Sequence, residues 1–155
     1  AIDGHDLERI KRLARESKNQ RYRICIHENE KAACHEMFIA HTSKAYVRPH
    51  KHLCKGESLE VLEGQATAVF FDDQGGITNW INIGARTTEL PFFYSLREPV
   101  FHTLLIHSEL LVFKETTTGP FIREESIFAD WAPSGDCSRE VEDYISHLKN
   151  LTLEN

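Results

Sequence analysis

The stretch RPHKHLCKGESLEVLEG, residues 48–64, decides how this chain folds. It contains His-x-His, four further residues, Glu, six further residues and Gly. Side chains alternate between the two faces of a β-strand, so His50 and His52 are expected on one face, about 7 Å apart. The residues Cys54 to Gly56 are typical of a turn, which would bring Glu57 toward the same side. Two imidazoles and a carboxylate that converge are typical ligands of a transition metal.

The second half of the stretch alternates like a strand, because Leu59 and Val61 share the parity of Glu57, and Gly64 then supplies a turn. The spacing of His-x-His, Glu and Gly resembles the first motif of the cupin superfamily, in which these residues carry three metal ligands. The superfamily's second motif implies a further histidine on a later strand. Its best match here is PVFH, residues 99–102, which ends at His102. His107 is the competitor, although it would face the opposite side of an unbroken strand.

Composition places the chain among ordinary globular proteins. Its 155 residues suit one domain, and hydrophobic and charged residues make up 41% and 27% of them. The net charge of −6 argues against nucleic acid as the main partner, and the sequence contains no basic patch for a membrane surface. Apolar runs all fall short of the roughly 18 residues of a membrane span. The polar start of the sequence does not resemble a secretory signal.

Four cysteines occur at positions 25, 34, 54 and 137, and none forms a C-x-x-C pair. This spacing argues against a structural zinc knuckle, and dispersed thiols favour a reducing, cytoplasmic location. Cys54 lies in the turn between the predicted ligands. It is interpreted there as a small turn residue rather than a metal or redox group.

The remaining elements are short strands between two helices. A helix is predicted over 6–18 with Asp6 as its cap, and another begins at Ser138 and frays after Asn150. Turn residues separate the strands, and no long helix lies between them. This pattern favours an antiparallel jelly-roll barrel over about 21–118. A lid loop and a helix are predicted to follow over 120–150. The loop includes the apolar residues 127–133. Strands are expected at 21–27, 35–41, 45–52, 57–63, 65–72, 77–83, 92–96, 100–106 and 110–115.

Several further side chains could serve a metal centre. Tyr46 and Arg48 share the parity of the two histidines on the predicted strand 45–52, so both are expected in the lumen as substrate contacts. Arg48 could anchor an anionic substrate or pair with a structural carboxylate, and the sequence leaves both open. Glu115, His27 and Tyr46 are candidates for a general base, although each could equally be an ordinary wall residue.

Five segments outside the metal motifs point to one branch of the cupins. They are RICIH at 23–27, YVRPHKH at 46–52, FFDDQG at 70–75, KETTTGP at 114–120 and FADWAP at 128–133. Together they resemble the WbuC-type cupin-fold metalloproteins over most of residues 7–134. The resemblance implies one all-β cupin domain over 1–155, a double-stranded β-helix or jelly-roll barrel with an N-terminal and a C-terminal helix. It also implies a bound metal and a role in surface polysaccharide synthesis, without naming a reaction.

Three histidines and one glutamate suit one divalent transition metal per chain, such as iron, zinc, nickel or manganese. The first hypothesis is an isomerase, epimerase or oxygenase that acts on a small sugar or sugar nucleotide at the open metal positions. The second is a non-catalytic module that binds or senses a small polar or anionic ligand. A third assigns the metal a purely structural role between strands. A homodimer that pairs the edge strand at 21–27 is also expected.

Overall fold

Two five-stranded antiparallel sheets face each other in the computed structural model, which describes residues 1–135 and 138–153. The strands are β1 (Arg21–Cys25), β2 (Cys34–Thr42), β3 (His50–His52), β4 (Glu57–Glu63), β5 (Gln65–Phe71), β6 (Ile77–Gly84), β7 (Phe93–Leu96), β8 (Phe101–Ile106), β9 (Leu110–Thr118) and β10 (Ser126–Phe128). Sheet A has the order β1-β2-β9-β4-β7 and sheet B the order β10-β3-β8-β5-β6. The predicted jelly-roll cupin fold is therefore confirmed.

Helices α1 (Gly4–Glu16) and α2 (Ser138–Leu153) cover the outer faces of the two sheets. Ile10 and Ala14 of α1 pack on sheet A against Ala40 and Val112, and Leu148 of α2 belongs to a second cluster on sheet B. Because both faces of the sheets are covered, β5 and β8 are buried almost throughout. Neither helix in the described part of the chain combines the length and apolarity that crossing a bilayer requires.

The space between the sheets holds the main core, which alternate residues of the strands fill as their parity predicts. Phe113 and Val61 point inward from sheet A, and Phe70 and Leu104 meet them from sheet B. Met37 and Ile39 face this core while Phe38 and Ala40 face α1, as the alternation of β2 predicts.

The first helix begins at Gly4, two residues before the predicted start. Asp3, not Asp6, is the N-cap, and its carboxylate accepts hydrogen bonds from the backbone of His5 and Asp6. Asp6 completes a reciprocal capping box, so the predicted cap occupies the third helical position instead. The helix ends at Glu16, two residues before the predicted end, and Ser17 is its C-cap. At the other end of the chain, the side chain of Ser138 and all of Cys137 lie outside the described residues.

The predicted strand 45–52 is wrong for its first half, since only His50–His52 is a strand. Pro49 has no amide hydrogen to donate to a ladder, and the irregular residues 43–49 carry the chain from sheet A to sheet B. Side-chain alternation therefore does not continue from Tyr46 to His50. Ala45 and Val47 face the core instead, and Tyr46 turns toward α2.

Two later segments contain more strand than predicted. β9 continues to Thr118, which is consistent with the β propensity of its three consecutive threonines. The predicted loop also contains β10, which pairs with β3 so that Ser126 lies opposite His52 and Phe128 opposite His50. The residues that follow, including Ala129 and Ala132, pack in the cluster beneath α2.

Candidate metal centre

Three imidazoles meet between the sheets at one end of the barrel. β3 carries His50 and His52, and the neighbouring strand β8 carries His102, which pairs directly with His50. One ligand nitrogen from each of these rings lies within 4.8 Å of the other two. Within residues 1–135 and 138–153, no other group of three histidine, cysteine or acidic side chains is arranged in this way.

Glu57 reaches the same point from the opposite sheet. It opens β4, and its Oε1 lies 3.0 Å from Nε2 of His102 while its Oε2 lies 3.5 Å from Nε2 of His52. The four predicted metal ligands are thus brought together by three strands of two sheets. Their role as ligands stays a prediction at this point.

The second nitrogen of each imidazole has its own partner. Nδ1 of His50 lies 2.9 Å from the carbonyl oxygen of Arg48, and Nδ1 of His102 lies 2.9 Å from that of Val100. A carbonyl only accepts, so both Nδ1 atoms carry a hydrogen, and Nε2 of each ring keeps a lone pair only while that ring is neutral. Nδ1 of His52 lies 3.0 Å from Oγ of Ser126. Partners of this kind orient the histidines of metal sites, so these residues fit a divalent transition metal.

The electrostatics separate His50 and His52, which are held neutral, from His102, whose protonated form the carboxylate of Glu57 favours. Burial, followed by the charge of His102, lowers the pKa of His50 to about 4, and burial also lowers the pKa of His52. Burial alone would raise the pKa of Glu57, but the hydrogen bond to His102 and the neighbouring imidazoles lower it below its usual value. At His102, burial alone would lower the pKa. The hydrogen bond to Glu57 outweighs burial, so the pKa of His102 is raised. Glu57 is therefore ionised at neutral pH, and His50 and His52 are neutral.

Glu115 and Tyr94 lie one row deeper in the lumen. Both pair with Leu59, from the two strands that flank β4, so their side chains share its inward face. Burial and the negative charge of Glu57 raise the pKa of Glu115 to about 7. Burial, Glu57 and Glu115 together raise the pKa of Tyr94 well above 10, so the phenol keeps its proton.

Two of the three candidate bases have other partners. The ring of His27 stacks on His35 with 4.0 Å between the ring centres, and its Nδ1 lies 3.2 Å from the carbonyl oxygen of Glu36. The hydroxyl of Tyr46 donates to the carbonyl of Pro133 at 2.9 Å. Glu115 is therefore the candidate base whose charge interacts with Glu57 and His102.

Arg48 and His107 also make specific contacts. Nη2 of Arg48 donates to the carbonyl of Ala129 at 2.6 Å, and its guanidinium lies 5.6 Å from the centre of the Phe128 ring. These contacts fasten the segment that follows β10 beside the three histidines. Nε2 of His107 lies 2.7 Å from Oγ1 of Thr67, so His102 and not His107 joins the group.

Two residues of the site escaped the sequence analysis. Ser126 lies in a three-residue strand too short to show alternation, and Tyr94 lies in a four-residue strand among ordinary apolar residues. The only sequence signal at Tyr94 is that it alternates with Leu96, which predicts that both side chains face inward. This signal does not distinguish a functional phenol from an ordinary core residue.

A protein-family model described as "Domain of unknown function (DUF6016)" matches residues 2–83, which is more than half of the 155 residues. The chain belongs to this family. The matched part of the chain runs from α1 through most of β6. It contains His50, His52 and Glu57 but not His102. No curated protein matches the chain.

Solved structures share its fold at low sequence identity. A protein from Shewanella oneidensis has a TM-score of 0.59 at 7% identity, over 83% of this chain and 85% of its own. The L-ribose isomerase of Cellulomonas parahominis, solved with L-psicose, has a TM-score of 0.55 at 13% identity, over 72% and 70%. A sugar phosphate isomerase of the cupin superfamily from Silicibacter pomeroyi has a TM-score of 0.50 at 15% identity, over 64% of this chain and 59% of its own. At these identities the similarity shows the cupin fold alone.

Proposed function

We propose that this member of the DUF6016 family binds one divalent transition metal through His50, His52, Glu57 and His102, and acts there on a small polar molecule. The observation that carries the proposal is the orientation of the imidazoles. Backbone carbonyls accept from Nδ1 of His50 and His102, which leaves Nε2 of both rings for a metal, and Nε2 of His102 already lies 3.0 Å from Oε1 of Glu57. Iron, zinc, nickel and manganese all suit this donor set.

The reaction we infer is proton transfer on a small sugar, as in an isomerase or epimerase. A bound metal would polarise a carbonyl or hydroxyl oxygen of the sugar as a Lewis acid. Glu115 would act as the base, and its raised pKa of about 7 supports this role, because a carboxylate with that pKa takes up and returns a proton near neutral pH. Tyr94 keeps its proton and can donate a hydrogen bond in the same lumen. Two structures with this fold are named as sugar isomerases, which supports the choice.

Metal analysis of the purified protein tests the centre. Wild type is expected to carry close to one metal ion per chain, and His50→Ala and His102→Ala are expected to lose it. His107→Ala is the matched control, because this histidine lies just after β8 and bonds Thr67 instead. A wild type that stays without metal after reconstitution contradicts the centre.

Deuterium exchange tests the reaction. The metal-loaded protein is incubated with a panel of aldoses and ketoses in D2O, and deuterium at carbon is expected wherever Glu115 has moved a proton. Oxygen consumption without exchange would assign oxygenase-type chemistry instead. Ligand binding with neither exchange nor oxygen consumption would assign a non-catalytic binding or sensor module. Either result rejects the isomerase.

We also propose the finer assignments that the sequence suggests: a WbuC-type protein in one domain, located in the cytoplasm, with a role in surface polysaccharide synthesis. A homodimer would cover the unpaired edge of β1, where Tyr22 is exposed. Gel filtration near the monomer mass of 17.9 kDa would contradict the dimer.

A further inference from the structure

One exposed aromatic ring lies directly beside the candidate metal centre. Phe128 is 53% exposed, and the centre of its ring lies 5.9 Å from that of His50. A single exposed phenylalanine needs no explanation at most places on a protein surface. Here, however, the exposed ring packs against one of the proposed metal ligands, so a molecule bound at the centre would meet it.

The strand pairing directs this ring toward the same side as the histidines. In the pairing of β10 with β3, Ser126 lies opposite His52. Phe128 lies opposite His50 in the same pairing. Oγ of Ser126 lies 3.0 Å from Nδ1 of His52, so the side chain of Ser126 faces the imidazoles. Phe128 is two residues further along β10, and residues two apart in a strand share a face, so its ring faces them too.

Backbone and side-chain contacts hold the ring in place. The amide of Ala129 donates to the carbonyl of Pro49 at 2.9 Å, so the residue after Phe128 is tied to the residue before β3. Nη2 of Arg48 donates to the carbonyl of Ala129 at 2.6 Å, while its Nε is buried without a hydrogen-bond partner in the described structure. The guanidinium lies 5.6 Å from the centre of the Phe128 ring, within the range of a cation–π contact. The ring is thus positioned beside His50 before any ligand arrives.

A second phenylalanine is equally exposed and faces the other way. Phe93 of β7 is 51% exposed and lies opposite Glu60 of β4. Its neighbour Tyr94 belongs to the core between the sheets, so the alternation of the strand turns Phe93 outward. Exposure is therefore common to both rings, and orientation toward the imidazoles distinguishes Phe128.

We infer that Phe128 is the surface on which the ring of a cyclic sugar stacks while hydroxyls of the sugar reach the proposed metal centre. The inference rests on the proposed function, and it narrows the substrate to a sugar that binds in its ring form rather than as an open chain. The face of a sugar ring carries C–H groups, and its hydroxyls lie around the edge. An exposed aromatic ring can therefore cover the face and leave the hydroxyls to polar partners. Phe128 thus determines specificity without being a metal ligand.

Saturation-transfer NMR on the zinc-loaded protein tests this contact. The probes are ribose, glucose, mannose and fructose, which are almost entirely cyclic in water, and the open-chain alditols ribitol, sorbitol and mannitol, which carry similar hydroxyls. Each is titrated into wild type, Phe128→Ala, Phe128→Tyr and Phe93→Ala. We expect at least one cyclic sugar to bind wild type and Phe93→Ala equally, and Phe128→Ala about tenfold more weakly, because apolar contact area is lost. Phe128→Tyr keeps the ring and should bind like wild type, and the alditols should not distinguish the variants.

Metal content, oligomeric mass and melting temperature are measured on the same samples. Equal affinity of wild type and Phe128→Ala for the cyclic sugars overturns the stacking contact alone, as does an equal loss of affinity for the alditols. A lower oligomeric mass in Phe128→Ala than in Phe93→Ala would show that a second copy of the chain covers the ring, which also overturns it. A wild type that holds zinc and binds no sugar rejects the sugar substrate of the proposed function, and a wild type that holds no zinc rejects the metal centre.

Discussion

The two sheets bury histidines equally well and give them different surroundings. His102 in sheet B is 5% exposed, and His35 and His41 in sheet A are 5% and 6% exposed. His102 has a carbonyl at one nitrogen and Glu57 at the other. Nε2 of His35 and Nδ1 of His41 are buried without a hydrogen-bond partner in the described structure. Burial is therefore common to both sheets, and only sheet B orients its imidazoles toward one point.

The sheet A histidines have packing roles. The ring of His41 meets the edge of Phe113 with 5.3 Å between the ring centres, and His35 stacks on His27. Burial lowers the pKa of His41 to about 3, so the ring is a neutral part of the core. Histidine count alone thus overstates the number of functional imidazoles, and the partner of the second nitrogen is the better criterion.

The largest effect is expected from Glu115, the sheet A residue that faces the sheet B histidines. Glu115→Gln should lower the rate of sugar deuteration by about 100- to 10,000-fold, because the amide cannot accept the proton. Metal content should not change. The wild-type rate should fall as pH drops below the pKa of about 7, and the variant should lose this dependence. A variant with the wild-type pH profile would remove Glu115 from the chemistry.

Ser126 provides the next test, since it is the partner that distinguishes His52 from the sheet A histidines. Ser126→Ala removes the contact to Nδ1 and should weaken metal binding by about 10- to 100-fold. Competition with a chelator measures this affinity. Ser126→Thr keeps a hydroxyl and should retain near-normal affinity. Equal affinity in the alanine and threonine variants would show that the hydroxyl does not support the ligand.

Acid should act on sheet A through His41. The unfolded chain binds a proton at this residue below pH 6.5, whereas the folded chain does so only near pH 3. Stability is therefore lost as pH falls between these values, and the contribution lost between pH 7 and 5 is about 2 kcal/mol. His41→Phe should reduce the loss by that amount in urea unfolding with a chelator present. An unchanged loss would mean that His41 is protonated in the folded protein.

The smallest effect is expected from His35→Leu. The substitution removes an unpartnered nitrogen from the interior, so the free energy of unfolding should change by less than about 1 kcal/mol or rise slightly. Metal content should equal that of wild type. A loss of metal comparable to that of His102→Ala would break the contrast between the two sheets.

Much of the site was predictable because it depends on local geometry. His50, His52 and Glu57 lie within eight residues, so strand parity and one turn were enough to bring them together. His102 required the resemblance to the cupins, because nothing local connects β8 to β3. The parity argument failed for Tyr46, where Pro49 and the crossing between sheets interrupt the strand.

The remaining site residues depend on contacts that no periodic pattern reveals. β10 has three residues, and its pairing with β3 joins positions 74 residues apart in sequence. The raised pKa of Glu115 likewise depends on a charge from another strand.

The turn of residues 52–57 makes the proposed centre modular. His52 and Glu57 stand at its two ends, so one short loop holds two of the four proposed metal ligands. Its ends are fixed by β3 and β4, and its middle by β9. Exchanging this loop between related barrels would replace the spacing of these two ligands while leaving His50 and His102 in place. The geometry offered to a metal can therefore diverge through changes in a few adjacent codons without rebuilding the barrel.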